Sequence, residues 1–162
     1  MVYYYFGDKD GVYAAALREF YVNQRSTEEA FDLEHVPALD ALKTLVGVVY
    51  DYHIKHAEHL RLVMGENIAR GRHISRMRDL KKINSRILDL VEKIYRRGVE
   101  AGSMRAGIQP IDLYAIMTSL HVFSVSHRYT FSFNFDYDMK TKKAIARRRD
   151  LIIDCVTRFV AI

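Results

Sequence analysis

Only one cysteine (Cys155) and two prolines occur in the 162 residues. A single thiol excludes an internal disulfide and fits a reducing compartment, so a cytoplasmic location is expected. Two prolines and eight glycines leave little material for the turns of a β-sandwich or barrel, which favours helices. No apolar run approaches the roughly 18 residues of a membrane span, and Met1-Val2-Tyr3 does not open a signal peptide. No membrane partner is expected.

Catalytic constellations are missing as well. There is no G-x-S-x-G and no phosphate-cradling glycine loop, and Cys155 has no obvious base beside it. A di-iron bundle needs Glu-x-x-His pairs on facing helices. No histidine follows a Glu in that spacing, and Asp32-x-x-His35 is the nearest approach. His53, His56 and His59 look like a ligand series. On an unbroken helix, however, His59 lies ~240° around the axis from His53. The expectation is therefore no catalytic residue, no metal, no cofactor and no enzyme.

What is present is ordinary globular material, 49% hydrophobic and 28% charged, enough for one domain with a sizeable core. The net charge of +5 permits an anionic partner without requiring one. Apolar residues recur at helical spacing almost throughout. Asp8 caps a first helix carrying Val12, Ala16 and Phe20, and residues 26–36 read as a connector. Pro37 starts a second helix whose buried face holds Leu42, Leu45, Val46, Val49 and His53. The stretch His56-Ala57-Glu58-His59 should break it, and a shorter helix with Leu60, Val63, Met64 and Ile68 follows. A long helix then runs from Leu80 to Gly98 and ends at a left-handed Gly102. Pro110 opens the next helix, and Ile145, Ile152, Val156 and Phe159 mark the last. Tyr129, Phe131, Phe133 and Phe135 alternate like a strand. With no partner strand visible, they are read as a frayed helix end and connector.

The run Val2-Tyr3-Tyr4-Tyr5-Phe6-Gly7-Asp8-Lys9-Asp10-Gly11-Val12-Tyr13 is the most specific motif. Three adjacent tyrosines cannot all be buried, because successive side chains point different ways. The run resembles the end of the helix-turn-helix in tetracycline-repressor (TetR) family regulators, where the pattern is roughly L-Y-Y-H-F-x-x-K-E-x-L. Val2 stands for the Leu, Tyr5 for the His and Asp10 for the Glu. The family places two helices and most of its recognition helix ahead of this point, so the resemblance implies a chain lacking the first part of that domain.

The resemblance further implies an all-α fold, a TetR-like C-terminal regulatory domain built as a helical bundle. Residues 1–25 would be the remnant of the helix-turn-helix domain, and 26–162 the ligand-binding and dimerisation domain. Tyr3, Tyr4, Tyr5 and Lys9 would contact DNA phosphates, which position a protein without reading sequence. The last two long helices would pair with a second copy through Leu113, Met117, Leu120, Ile152, Val156 and Phe159. Both carry apolar residues over a wide arc. Two helices buried in one protomer's core is the alternative.

A small-molecule effector would enter a cavity lined by Tyr50, His53, Met64, Asn67, Asn84, Ile87, His121 and Phe123. These are polar or adaptable groups on otherwise apolar faces, and each also suits a satisfied core position. Helix 58–71, holding Gly65, would be the moving element. The implied function is a ligand-responsive transcriptional regulator, a repressor whose DNA reading is impaired by the missing helices, with an effector and a homodimer mate as partners, and DNA as a partner of the intact parent. A helical dimerisation module, or a carrier or enzyme using the central cavity, is the alternative.

Overall fold

The computed structural model describes residue 4 and residues 7–162. Among them are seven α-helices, which we number α1 (Lys9–Glu29), α2 (Ala38–Lys55), α3 (Ala57–Ile68), α4 (Asp79–Glu100), α5 (Pro110–Ser126), α6 (Arg128–Asn134) and α7 (Lys142–Val160). A single 3-10 turn, Ile74–Arg76, lies between α3 and α4. β pairing among the described residues is confined to one isolated bridge, Met104 with Ala161. The fold is all-α.

α2 is the hub, packing against α1, α3, α4, α5 and α7. Its apolar stripe at three-to-four spacing meets the stripes of its neighbours in one core: Leu42, Leu45, Val46 and Val49 with Ile87, Val91 and Ile94 of α4, Leu113 and Met117 of α5, and Ile152, Val156 and Val160 of α7. Each such side chain contributes about 1.5–3 kcal/mol on burial. Leu113, Met117, Ile152 and Val156, expected between subunits, thus fill the protomer's own core. Leu120 and Phe159 are only partly buried against it.

The helix ends follow local chemistry. Asp8 accepts the Gly11 N–H at 2.8 Å and caps α1, as the sequence predicts. Pro110 takes the first turn of α5, and Gly102 closes α4 at φ +65°, a conformation only glycine adopts without strain. Pro37 stands one residue before α2, at its N-cap. The break expected around His56 is a one-residue junction between α2 and α3.

Two expectations shift. α1 continues unbroken to Glu29, so the expected boundary at 25/26 falls inside a helix and the connector shortens to 30–37. The aromatic stretch 129–135 forms its own short helix, α6, set off from α5 by His127.

Candidate functional site

α1 begins its buried stripe with apolar residues, Leu17 and Phe20, and continues it with polar ones, Gln24, Arg25 and Glu28. The register i, i+3, i+7, i+11 keeps them on one face, pointing into the protein rather than to water. Arg25 and Glu28 are each only 2% exposed. Facing them are His53 of α2, 2% exposed, and His121 of α5, fully buried. The imidazoles of His53 and His121 meet edge to face at 5.7 Å between centroids, and Tyr50 packs on His121 in the same way at 5.8 Å. Arg25 Nη2 donates to the Tyr114 hydroxyl at 3.5 Å. Three helices thus converge on one polar cluster.

That cluster is under-satisfied. Gln24 Nε2 donates to Glu28 Oε1 at 3.1 Å. Arg25 Nε lies 3.1 Å from Glu28 Oε2, but the two are not aligned as a hydrogen bond. Among the described residues, eight buried side-chain polar atoms have no hydrogen-bond partner. Six belong here: Arg25 Nε and Nη1, Glu28 Oε2, His53 Nδ1, and both ring nitrogens of His121. Each unmet group costs roughly 1–3 kcal/mol, so their concentration in one place calls for an explanation.

The electrostatics follow from burial. Desolvation lowers the His53 imidazole to about 4, and the Arg25 charge adds to this. Burial, then His53, holds His121 well below the usual histidine range. Desolvation raises the Glu28 carboxyl to about 7 against the opposing pull of Arg25 and Gln24. Near neutral pH the cluster therefore holds two neutral imidazoles, a guanidinium and a carboxyl close to its midpoint.

Tyr50 also forms the wall of a second feature, a groove of about 730 Å³ between α5, α6 and α7. Leu120, Phe123, Phe131, Phe135 and Leu151 supply apolar surface there, and Arg147 and Arg148 the charge. Burial raises the Tyr50 phenol to about 12, and its hydroxyl donates to the Ile145 carbonyl at 3.1 Å. The groove is half open to solvent, whereas the polar cluster is closed.

Of the eight expected pocket residues, Tyr50, His53 and His121 come together, and Phe123 lines the adjoining groove. Ile87 shares the central core with Tyr50, and exposed Asn67 donates to Val63 O within its own helix. Met64 and Asn84 are half-buried on α3 and α4. Sequence reasoning missed Gln24, Arg25 and Glu28, which lie where the first helix was expected to give way to a connector. The available signal was their continuation of the Leu17–Phe20 register.

The DNA-facing expectation rests on residues at the chain start. Tyr3 and Tyr5 lie outside the described residues, while Tyr4 is exposed and Lys9 is the first residue of α1. Just beyond, α1 is fastened to α3 and the turn after it. Glu66 Oε2 accepts the backbone N–H groups of His73 and Ile74, and Glu66 Oε1 lies 2.6 Å from His73 Nδ1. His73 Nε2 lies 3.4 Å from Asp10 Oδ1, and the Tyr13 ring packs on the imidazole at 4.7 Å. Burial pushes the Glu66 carboxyl up, but the Ile74 and His73 hydrogen bonds outweigh it and hold it low.

His56, Glu58 and His59 are the described residues that best approach a ligand set, with ligand atoms within 4.8 Å of one another. The two imidazoles stack in parallel at 5.3 Å and pack on Tyr52 and Phe20. That packing accounts for their positions without an ion. No helix among the described residues is long and apolar enough to cross a membrane.

Seven helices with α2 at their hub, and a polar cluster drawn from α1, α2 and α5, define an all-α domain of the kind that accompanies a DNA-reading head in transcriptional regulators. The chain belongs to the tetracyclin repressor-like family: the model of that family's C-terminal domain matches residues 39–156. Over 158 residues it is 28% identical to the HTH-type transcriptional repressor NicS of Pseudomonas putida, an alignment covering 98% of this chain and 74% of that protein.

Proposed function

We propose that this chain senses a small molecule and dimerises within a transcriptional repressor of the TetR type, with the effector bound at the cluster of Arg25, Glu28, His53 and His121. One observation carries the reading: six of the eight unpartnered buried polar atoms converge there. A ligand that meets them recovers hydrogen bonds the folded protein leaves unmade, which is a direct source of affinity. The relative's name supports the repressor role. The start of the chain faces DNA, with Tyr3, Tyr4, Tyr5 and Lys9 on phosphates, and the chain from Arg25 onward senses and dimerises. Because α1 spans both parts, a shift at Arg25 is felt at Lys9. Binding acts only through different affinities for the two states of the regulator.

Dimerisation is assigned to the outer faces of α5 and α7, with exposed Leu151 and Cys155 flanked by Leu120 and Phe159. An isologous pairing there would bury roughly 800 Å² per partner. The pocket reading is tested by thermal-shift screening of a small-molecule library against the wild type and the His53→Phe and His121→Phe variants. Hits on the wild type should lose their stabilisation in both variants. Hits that stabilise all three proteins equally would place the effector elsewhere.

A further inference from the structure

We propose that the groove between α5, α6 and α7 is a second binding site, which takes an amphipathic organic anion with its apolar chain along the aromatic wall and its acidic head at Arg147 and Arg148. The site is separate from the polar cluster and does not depend on it.

The groove offers space, about 730 Å³, within the roughly 300–1,000 Å³ of small-molecule sites. One wall is aromatic and continuous. Phe131 of α6 meets Phe123 edge to face at 5.7 Å, Phe135 at 4.6 Å and Tyr137 edge to face at 6.5 Å. Leu120 of α5 and Leu151 of α7 add aliphatic surface. Phe135 and Leu151 are 65% and 45% exposed, so this apolar wall is open to an incoming molecule.

The hydroxyls on the helical walls are already engaged. Tyr50 donates to the Ile145 carbonyl at 3.1 Å, Ser119 to that of Ile116 at 2.8 Å and Ser124 to that of Leu120 at 3.0 Å. The donors still open to a ligand are the guanidiniums. None of the described residues lining the groove is acidic. Arg149 is paired with Asp51, whereas neither Arg147 nor Arg148 has an ion pair among the described residues. Arg148 Nε donates to the Ser124 hydroxyl at 3.4 Å, and its guanidinium carbon lies 5.5 Å from the centre of the Phe123 ring. That ring steadies the cation beside the apolar wall and leaves its Nη donors unused. Two adjacent cations without counter-charge, bordering an apolar trough, select an anion with an apolar body. A second copy is the rival occupant, because Leu120 and Leu151 also belong to the face assigned to dimerisation. Groove-on-groove pairing would set arginines against arginines with no carboxylate between them.

Octanoate and its neutral counterpart octanol serve as probes, read by calorimetry and by the methyl resonance of Met139, which lines the groove. Octanoate should bind about fivefold or more tightly than octanol at low salt, and the margin should shrink as salt screens the arginines. Arg147→Gln with Arg148→Gln, both outside the core, should erase the margin and keep octanol binding. Ser119→Trp, at an exposed position on the groove wall, should block both probes. His53→Phe, in the polar cluster, should leave both unchanged. Loss of octanoate binding in His53→Phe would move the anion to the cluster and overturn the second site. Failure of either probe to bind the wild type, equal binding of the two, or an undiminished margin in the double variant would overturn the proposal as well. Octanoate that binds only as the dimer dissociates in light scattering would give the groove to a second copy. Capture by phosphatidylglycerol vesicles without octanoate binding would give it to a membrane surface. Either result sinks the small-anion reading.

Discussion

Arg25 Nε and Glu28 Oε2 stand 3.1 Å apart with both side chains 2% exposed, yet neither atom makes a hydrogen bond. The pair sits one helical turn apart on α1, so backbone geometry fixes the separation and leaves the angle poor. Two charges taken out of water need excellent geometry to recover their desolvation cost. This pair does not have it.

Removing one partner should therefore be far worse than removing both. Arg25→Met is expected to cost about 3–5 kcal/mol in chemical denaturation, because Glu28 is left buried and uncompensated. Arg25→Met with Glu28→Leu should lie within about 1 kcal/mol of wild type. Additive losses in the double variant would show that the ion pair is a stabilising contact after all.

Acidification should weaken the fold through the two buried imidazoles. His53 titrates near 4 and His121 well below its ordinary 6.5. Their folded values are depressed, so the unfolded chain binds these protons first and stability falls as pH drops below 6.5. Glu28 works in the opposite direction. Its folded value of about 7 exceeds the ordinary 4.5, so its contribution is present at low pH and is lost as pH rises through 7. Between 4.5 and 6.5 two histidine protons oppose one carboxyl proton, a net loss of roughly 1.4 kcal/mol per pH unit on acidification. Glu28→Gln should roughly double that slope in urea melts. An unchanged slope would mean that Glu28 does not titrate in this range.

Leu151 and Val156 set the proposed interface against the core. Leu151 is 45% exposed and Val156 fully buried. Leu151→Glu should yield a folded monomer by light scattering with an intact helical spectrum. Val156→Glu should abolish folding, since a carboxylate would enter the central core. A Leu151→Glu protein that remains dimeric would move the interface off this face.

Most of the helical frame was legible because its signals are local. Pro110, Gly102 and Asp8 act within one turn of where they sit, and the Leu42–Val49 stripe is self-evident at three-to-four spacing. The site was legible only in part. Tyr50, His53 and His121 stand out as polar groups on apolar faces. Arg25 and Glu28 did not, because the polar run Gln-Arg-Ser-Thr-Glu-Glu reads as the start of a connector. Only the packing of α4 and α2 against α1 determines that it is buried. The exposure of Asn67 has the same origin, since helix rotation depends on partners that composition does not reveal.

Gly98 is a point of close approach. A Cβ there would run into the Met104 side chain, which is itself 1% exposed and wedged in the core. Gly98→Ala should cost about 1–3 kcal/mol by overpacking, although alanine is the better helix former. A stabilised variant would show that Met104 repacks freely.

His73 bridges Asp10 and Glu66 and thereby fastens the first turn of α1 to the end of α3. His73→Ala should cost roughly 1 kcal/mol and speed amide exchange in the first turns of α1 while leaving α2 protected. Uniform changes across all helices would argue against a local fastening.

The unbroken course of α1 has a mechanical consequence. From Lys9 to Arg25 the rod is about 24 Å long at about 1.5 Å per residue, with a buried charge near one end and the Asp10–His73 clasp near the other. A tilt of about 5° pivoting at Arg25 would swing Lys9 by roughly 2 Å over that length. A displacement too small to disturb the packed core would thus emerge, magnified, where the helix meets the start of the chain.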